Sequence, residues 1–237
     1  MEENTIQEPP KDRAKKMLVW LGVASIAMFF MAFTSAYIVL QADHFWVQDE
    51  LPSMFGISTV LILISSATIY LAKRSIEAGN TSGLKLWLAA TFTLGLAFTA
   101  TQYLGWQEMQ EDGKFFIGTL DGMTGEYGKD YVILMKGEPL LYDDGNFYKP
   151  GDIAYSEPIN ERVSDTFNIS ASFLYLLSGL HIAHLAGGFI WLIVLLFQSF
   201  SGRISKENVL PLELGSIYWH FLDILWIYLY VFLLFIR

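Results

Sequence analysis

Five runs, at positions 17–40, 51–72, 86–107, 167–202 and 214–236, carry almost no charge, and only Asp223 interrupts the last of them. A helix needs ~20 mainly apolar residues to cross a hydrocarbon core of ~30 Å, where no water is present to satisfy a bare backbone. The runs therefore predict an all-α membrane protein with five transmembrane helices. Composition agrees: 53% of the 237 residues are hydrophobic and mean hydropathy is +0.39, too apolar for a soluble domain of this size. Cysteine is absent, which excludes disulfides, iron–sulfur clusters and thiolate-bound copper or zinc. The first 17 residues are polar with two prolines, and the apolar run behind them is longer than a signal-peptide core, so an uncleaved first span is expected.

The short connections set the orientation. Lys11, Arg13, Lys15 and Lys16 precede the first span, Lys73, Arg74 and Lys85 lie between the second and third, and Arg203 and Lys206 lie between the fourth and fifth. All nine fall on one side, and segment 41–50 carries no Lys or Arg. The positive-inside rule then predicts a cytoplasmic N-terminus and, after five crossings, a C-terminus on the other face of the membrane. The expected organisation is a tail over 1–16, three spans over 17–107, an outer insertion over 108–166, and two spans over 167–237.

The insertion reads differently from the rest. Short β-prone runs (FFIGTL, YVILM, FYK) alternate with Gly, Asp-Gly and Pro signals, which predicts a small hairpin-containing module. It holds thirteen acids and five bases, most of the chain's net charge of −9. Such a run is either a solvated face or a docking face for a basic electron carrier or a neighbouring subunit.

Ionisable groups inside spans are costly, so each needs a partner or a function. His181 and His184 lie in the fourth span, and His220 and Asp223 in the fifth, each pair spaced i,i+3 on one helix face. At ~1.5 Å per residue, His184 and His220 both fall roughly 10 Å from the cytoplasmic edge. The two pairs, extended by Glu213, are therefore expected to form one polar network between adjacent spans. Gly179, Ala183 and Gly187 form a small-xxx-small ridge beside the histidines, with Gly188 next to it, and suit close helix packing. A non-haem iron or zinc site is a weaker reading because no second carboxylate is near. Haem is weaker still, with the histidines of one helix only three residues apart. Trp20, Trp46, Tyr70, Trp87, Trp106, Tyr218 and Trp219 fall near span ends, as interfacial aromatics do. No nucleotide-binding, hydrolase or nucleic-acid motif is present.

"GLHIAHLAGGF" followed by "LELGSIYWHFLDILWIYLYVFLLF" resembles subunit III of the haem–copper oxidases. That family carries G-x-H-x-x-H in its penultimate helix and E-x-G-x-x-Y-W-H-F-x-D-x-x-W in its last. Glu213, Gly215, Tyr218, Trp219, His220, Phe221, Asp223 and Trp226 match in register. "MFFMAF" and "TLGLAFTATQYLGW" resemble two further family helices, so this chain looks like the short five-helix bacterial form. Two acids of the family fall on Gly22 and Gly105, and a lipid-binding arginine falls on Gln198. The resemblance implies an accessory subunit of a proton-pumping cytochrome c oxidase that binds no haem or metal of its own. It implies packing against subunits I and II, bound phospholipids, and support of proton uptake and stability during oxygen reduction. Under it, His181, His184, Glu213, His220 and Asp223 are structural or lipid-facing, and Gly179, Ala183, Gly187 and Trp219 pack helices. The same scaffold serves quinol oxidases and nitric-oxide reductases, and a stand-alone haem- or metal-binding protein is the reading from another class.

Overall fold

A helix ends where its backbone finds other partners, not where its side chains cease to be apolar, and four of the five spans run past their charge-free cores. The computed structural model describes residues 10–116, 125–166 and 169–236. Its long helices are α1 (Pro10–Asp43), α2 (Ser53–Glu77), α3 (Thr81–Glu111), α5 (Ile169–Phe200) and α6 (Leu210–Phe235). Each is long and apolar enough to cross a membrane. The chain is thus a multi-pass helical membrane protein.

α1 starts seven residues before its apolar run. Pro10 stands at the first helical position, where its missing N–H costs nothing, and Asp12 lies in the first turn beside the positive end of the helix dipole. The expected tail over 1–16 is therefore helical from Pro10 onward. Asn80 caps α3 by accepting the Gly83 amide at 2.8 Å, which starts that helix five residues ahead of its apolar run. Phe167, the expected first residue of the fourth span, lies outside the described residues.

Packing divides the chain into two units. One comprises Met1–Phe29, Leu61–Ala97 and Ala183–Leu225; the other comprises Phe30–Val60, Phe98–Ile182 and Trp226–Arg237. The second unit contains the small β module. Its strands are β1 (Phe45–Asp49), β2 (Tyr131–Met135), β3 (Glu138–Pro139), β4 (Leu141–Asp143) and β5 (Asn146–Tyr148), followed by the short helix α4 (Asn160–Thr166). The first three form an antiparallel sheet in the order β1-β2-β3, and β4 pairs with β5. Two of the expected strands, YVILM and FYK, correspond to β2 and β5. Most of the third, FFIGTL, lies outside the described residues.

β1 lies in the 41–50 connection, where no strand was expected. It pairs along its length with β2, from Phe45 opposite Met135 to Asp49 opposite Tyr131. Phe45 and Val47 bury their side chains with Ile133, Leu140, Phe147, Ile159 and Val163, so the module has an apolar core of its own. Trp46 points the other way and is fully buried edge-on to Tyr37 of α1, with ring centres 4.6 Å apart. The Tyr127 hydroxyl closes the module by donating to the Leu140 carbonyl at 2.9 Å, and burial raises its pKa above the ordinary phenol value.

Both hairpin turns place residues in the left-handed region: Lys136 and Gly137 at φ of 55° and 83°, and Asp144 and Gly145 at 45° and 83°. Two consecutive positive φ values match the twist of the flanking strands. Gly145→Val, which puts a β-branched residue at such an angle, should destabilise the module by about 1–2 kcal/mol. Faster proteolysis within 125–166 checks it, and an unchanged cleavage rate would contradict it.

A second loop is fastened by charge. The Asp152 carboxylate accepts the Ser156 hydroxyl at 2.9 Å and the Ser156 and Glu157 amides at 3.1 and 3.3 Å. The Ser156 hydrogen bond is the main reason its pKa falls below the ordinary carboxylate value. A depressed folded-state pKa contributes stability that is complete above the unfolded-state value and disappears as pH falls through the folded one. The protection of the Ser156 and Glu157 amides, measured against their intrinsic exchange rates, should therefore fall in acid below the ordinary carboxylate range. Asp152→Asn should remove that dependence.

Candidate functional site

The side chains that join the spans are indoles and hydroxyls. A tryptophan inside a bilayer needs an acceptor for its N–H, and a serine or threonine that already bonds its own helix still offers a lone pair. In the first unit, Trp219 of α6 donates to Ser65 Oγ of α2 at 2.8 Å, and Thr68 of α2 shares a hydrogen bond with Thr91 of α3, also at 2.8 Å. In the second, Trp226 donates to Thr59 Oγ1 at 3.0 Å, Gln102 to Ser58 Oγ at 2.6 Å, and Trp106 to Ser178 Oγ at 3.0 Å.

α2 thus presents a hydroxyl series, Ser58, Thr59, Ser65, Ser66 and Thr68, as a docking rail for its neighbours. Sequence reasoning missed it. The signal was there: pairs of hydroxyl residues seven apart (58/65 and 59/66) inside an otherwise apolar span fall on one helix face.

His220 and Asp223 lie together in the first unit. The Ser66 hydroxyl and His220 Nδ1 share a hydrogen bond of 2.7 Å, and Asp223 Oδ2 is 3.8 Å from the same nitrogen. Asp223 is 2% exposed, and neither carboxylate oxygen has a hydrogen-bond partner among the described residues. Ser66 is therefore the partner of the pair that the i,i+3 spacing did not reveal. Glu213, at the start of α6, lies 3.0 Å from Lys16 Nζ and 3.3 Å from Lys73 Nζ, tying α1 and α2 to α6.

The two helix-four histidines fall in different units. His184 is half-buried in the first, and its backbone carbonyl accepts the Tyr218 hydroxyl at 3.0 Å. His181 is fully buried in the second, its ring 5.7 Å from that of Phe98 and 5.2 Å from that of Trp226. Its surroundings there are aromatic faces. Among the described residues, no group of three or more His, Cys, Asp or Glu is placed to hold a metal ion.

Close approach falls beside the expected small-residue ridge. A Cβ on Gly188 would meet Trp219 at 3.1 Å and Leu222 at 3.2 Å, whereas one on Gly187 would meet only the Tyr218 hydroxyl, at 3.3 Å, and one on Gly179 only Trp106, at 3.9 Å. Ala183 and Gly187 are exposed. Two tighter sites were not anticipated. A Cβ on Gly95 would be 2.8 Å from Phe189 and 2.9 Å from Trp219, and one on Gly215 would be 2.7 Å from Leu195.

The two glycines that replace family acids differ in what surrounds them. Gly105 has no room for a side chain, because its Cβ would lie 2.5 Å from the fully buried ring of Phe55. Gly22 has no described atom within 4 Å of that position and lines an apolar cavity of about 270 Å³ with Trp191 and Tyr218.

Spans linked within each unit by indole-to-hydroxyl bonds, with a buried aspartate beside His220 in the last, define a polytopic helical membrane protein with much of its polar chemistry on α2 and α6. Residues 153–236, which hold that last span and the G-x-H-x-x-H segment, match the family model of cytochrome c oxidase subunit III. A cytochrome c oxidase subunit 3 of Alkalihalophilus pseudofirmus is 25% identical over 174 residues, 73% of this chain and 61% of that protein. A probable cytochrome c oxidase subunit 3 of Nocardia farcinica is 24% identical over 225 residues, 93% of this chain and 86% of its own. A probable quinol oxidase subunit 3 of Staphylococcus saprophyticus is 36% identical over 76 residues, 32% of this chain and 38% of that protein. The chain thus spans 61% and 38% of the length of two of these relatives. Together the matches support the resemblance to subunit III of the haem–copper oxidases.

Proposed function

We propose that this chain is the accessory, redox-inactive subunit III of a respiratory cytochrome c oxidase, lying in a bacterial plasma membrane with its N-terminus in the cytoplasm. In this reading it packs against the subunit that carries the haems and copper, beside the subunit that receives electrons. It holds phospholipid there and supports proton uptake and lifetime while the complex reduces oxygen to water and pumps protons. The observation that carries the reading is α6. Its family-matching residues are the ones engaged with neighbouring helices, Trp219 with Ser65, His220 with Ser66, Trp226 with Thr59, and Glu213 with two lysines. A helix committed in this way supplies a stiff wall, which suits a supporting subunit. The nine bases on one side favour the orientation, and the acidic module on the other offers a face to a basic electron carrier.

Purification of the tagged full chain from its native membranes tests the proposal. Subunits bearing haem and copper should accompany it, and the preparation should consume oxygen. Isolation of the chain alone, with a haem absorption band that His181→Ala abolishes, would overturn the reading. The identity to a probable quinol oxidase subunit favours a second reading, the same role in a quinol-driven enzyme. The two separate on whether reduced cytochrome c or a quinol sustains oxygen uptake.

A further inference from the structure

One ring nitrogen of His220 faces two groups that ask different things of it. Nδ1 lies 2.7 Å from the Ser66 hydroxyl of α2 and 3.8 Å from Asp223 Oδ2, one turn further along α6. A hydroxyl donates or accepts, whereas an ionised carboxylate only accepts. At 3.8 Å the carboxylate is beyond hydrogen-bond range, so in this arrangement Nδ1 is committed to Ser66. When the ring is neutral and bare at Nδ1, Ser66 donates to the nitrogen lone pair, and that lone pair faces the carboxylate with no proton between them. Asp223 is 2% exposed, and neither of its oxygens has a hydrogen-bond partner among the described residues. One added proton answers both needs, because it fits between Nδ1 and Oδ2, where ring and acid share it.

That proton has a way in. The His220 side chain is 36% exposed and lines a pocket of about 480 Å³ at the lysine-bearing end of α1, α2 and α6, while Asp223 is closed off from water. The charged and titratable groups around the pocket are Lys16 of α1, Tyr70, Lys73, Arg74 and Glu77 of α2, and Glu213 of α6 itself. Groups of these types ordinarily keep their charge from about pH 5.5 to 8.5, whereas an imidazole changes its own there. On α5, His184 is the other histidine of the same unit, so any titration must be assigned between the two.

We propose that His220 and Asp223 form a proton-operated latch on the contact between α2 and α6. Without the shared proton, His220 is tied across to Ser66. With it, the ring turns to Asp223 on its own helix and gives up the bond to α2. Both partners of that second state lie on α6 at i,i+3, and closing the gap takes about 1 Å, within reach of a small side-chain rotation. The neighbouring bond from Trp219 to Ser65 holds α2 to α6 in either state, so the latch adjusts the contact without opening it. One proton is taken up from the pocket water for each closure, and nothing else is consumed. The latch lies wholly within this chain and does not depend on which oxidase it serves.

Nitrogen NMR of the full chain in detergent micelles, isotopically labelled at its histidine rings, tests it. His220→Gln and His184→Gln identify the two sets of ring signals by their loss. As pH falls from about 9 to 5, the His220 Nδ1 signal should pass from that of a bare, hydrogen-bonded nitrogen to that of a protonated one. Asp223→Asn keeps the shape and removes the charge, so it should weaken proton binding about tenfold or more, moving the midpoint by at least about one pH unit. Ser66→Ala removes the donor that holds the bare nitrogen, so it should act the other way and strengthen proton binding a few-fold. A His220 ring that keeps one charge state over the whole range would overturn the proposal. So would an unmoved midpoint in Asp223→Asn, or a Ser66→Ala midpoint that stays in place or moves in the same direction as that of Asp223→Asn. If Asp223→Asn does not fold, the parent titration and Ser66→Ala, which deletes one oxygen from a half-buried residue, decide by the same criteria. Purification of the chain without partner subunits would count against the oxidase reading and leave these titrations as they stand.

Discussion

Trp219→Ala should be the most damaging single substitution in the membrane part of the chain, lowering stability by about 3–5 kcal/mol. The indole is 1% exposed, its ring centre lies 5.9 Å from that of Phe189, and it covers the bare backbones of Gly95 and Gly188. Between spans the lipid is as apolar as the side chain, so no hydrophobic term refills the space, and the loss is one of packing and of the hydrogen bond to Ser65. Trp219→Phe keeps most of the ring and gives up only that bond, so it should cost roughly 1 kcal/mol. Trp20→Ala, at a position 57% exposed, should cost far less than either. Thermal unfolding of the full chain in detergent micelles, followed by circular dichroism, orders the three. If Trp219→Ala melted with Trp20→Ala, the view of α6 as a wall built on this residue would fail.

Much of the architecture was legible because the bilayer imposes it. A charge-free run of twenty residues has few alternatives in lipid, and an Asp-Gly pair announces a tight turn between β-prone runs. β1 was not legible: it is five residues long, and its partner β2 lies more than eighty positions away, so nothing local distinguishes it from loop. The ends of α1 and α3 were misplaced because hydropathy marks where a helix meets lipid, whereas Pro10 and Asn80 set where its backbone begins. At the candidate site, spacing alone brought His220 and Asp223 together. Ser66 escaped notice because hydroxyls in an apolar span are ordinary, and which member of the α2 series meets the His220 ring nitrogen is set only by the packing of α2 against α6. Phe55 is subtler still, since its position makes sense only beside Gly105, where a larger residue cannot fit.

His220→Leu and Asp223→Leu should move stability in opposite directions. Asp223 is almost wholly buried, and an acid at that position in a span carries a penalty of about 2.5–3.5 kcal/mol on insertion scales. His220, 3.8 Å away and hydrogen-bonded to Ser66, is the nearby group that can offset part of that penalty. Replacing the histidine leaves the buried acid without it, and a buried carboxylate that loses its nearby partner is destabilising. Replacing the aspartate removes the penalty itself, and apolar substitutes for buried ionic groups are often neutral or stabilising. Asp223→Leu should therefore melt at or above the parent temperature, with His220→Leu several degrees below it. If both variants fell equally, the carboxylate would be a net stabiliser and the physical account of the pair would be wrong. If they diverge as expected, the acid is kept at a cost to the isolated chain, and its benefit must appear in the complex. On the oxidase reading proposed above, Asp223→Leu should then shorten the working lifetime of the assembled complex under continuous turnover while leaving its initial oxygen uptake largely intact. A stable variant with an unchanged lifetime would leave Asp223 without the supporting role proposed for it.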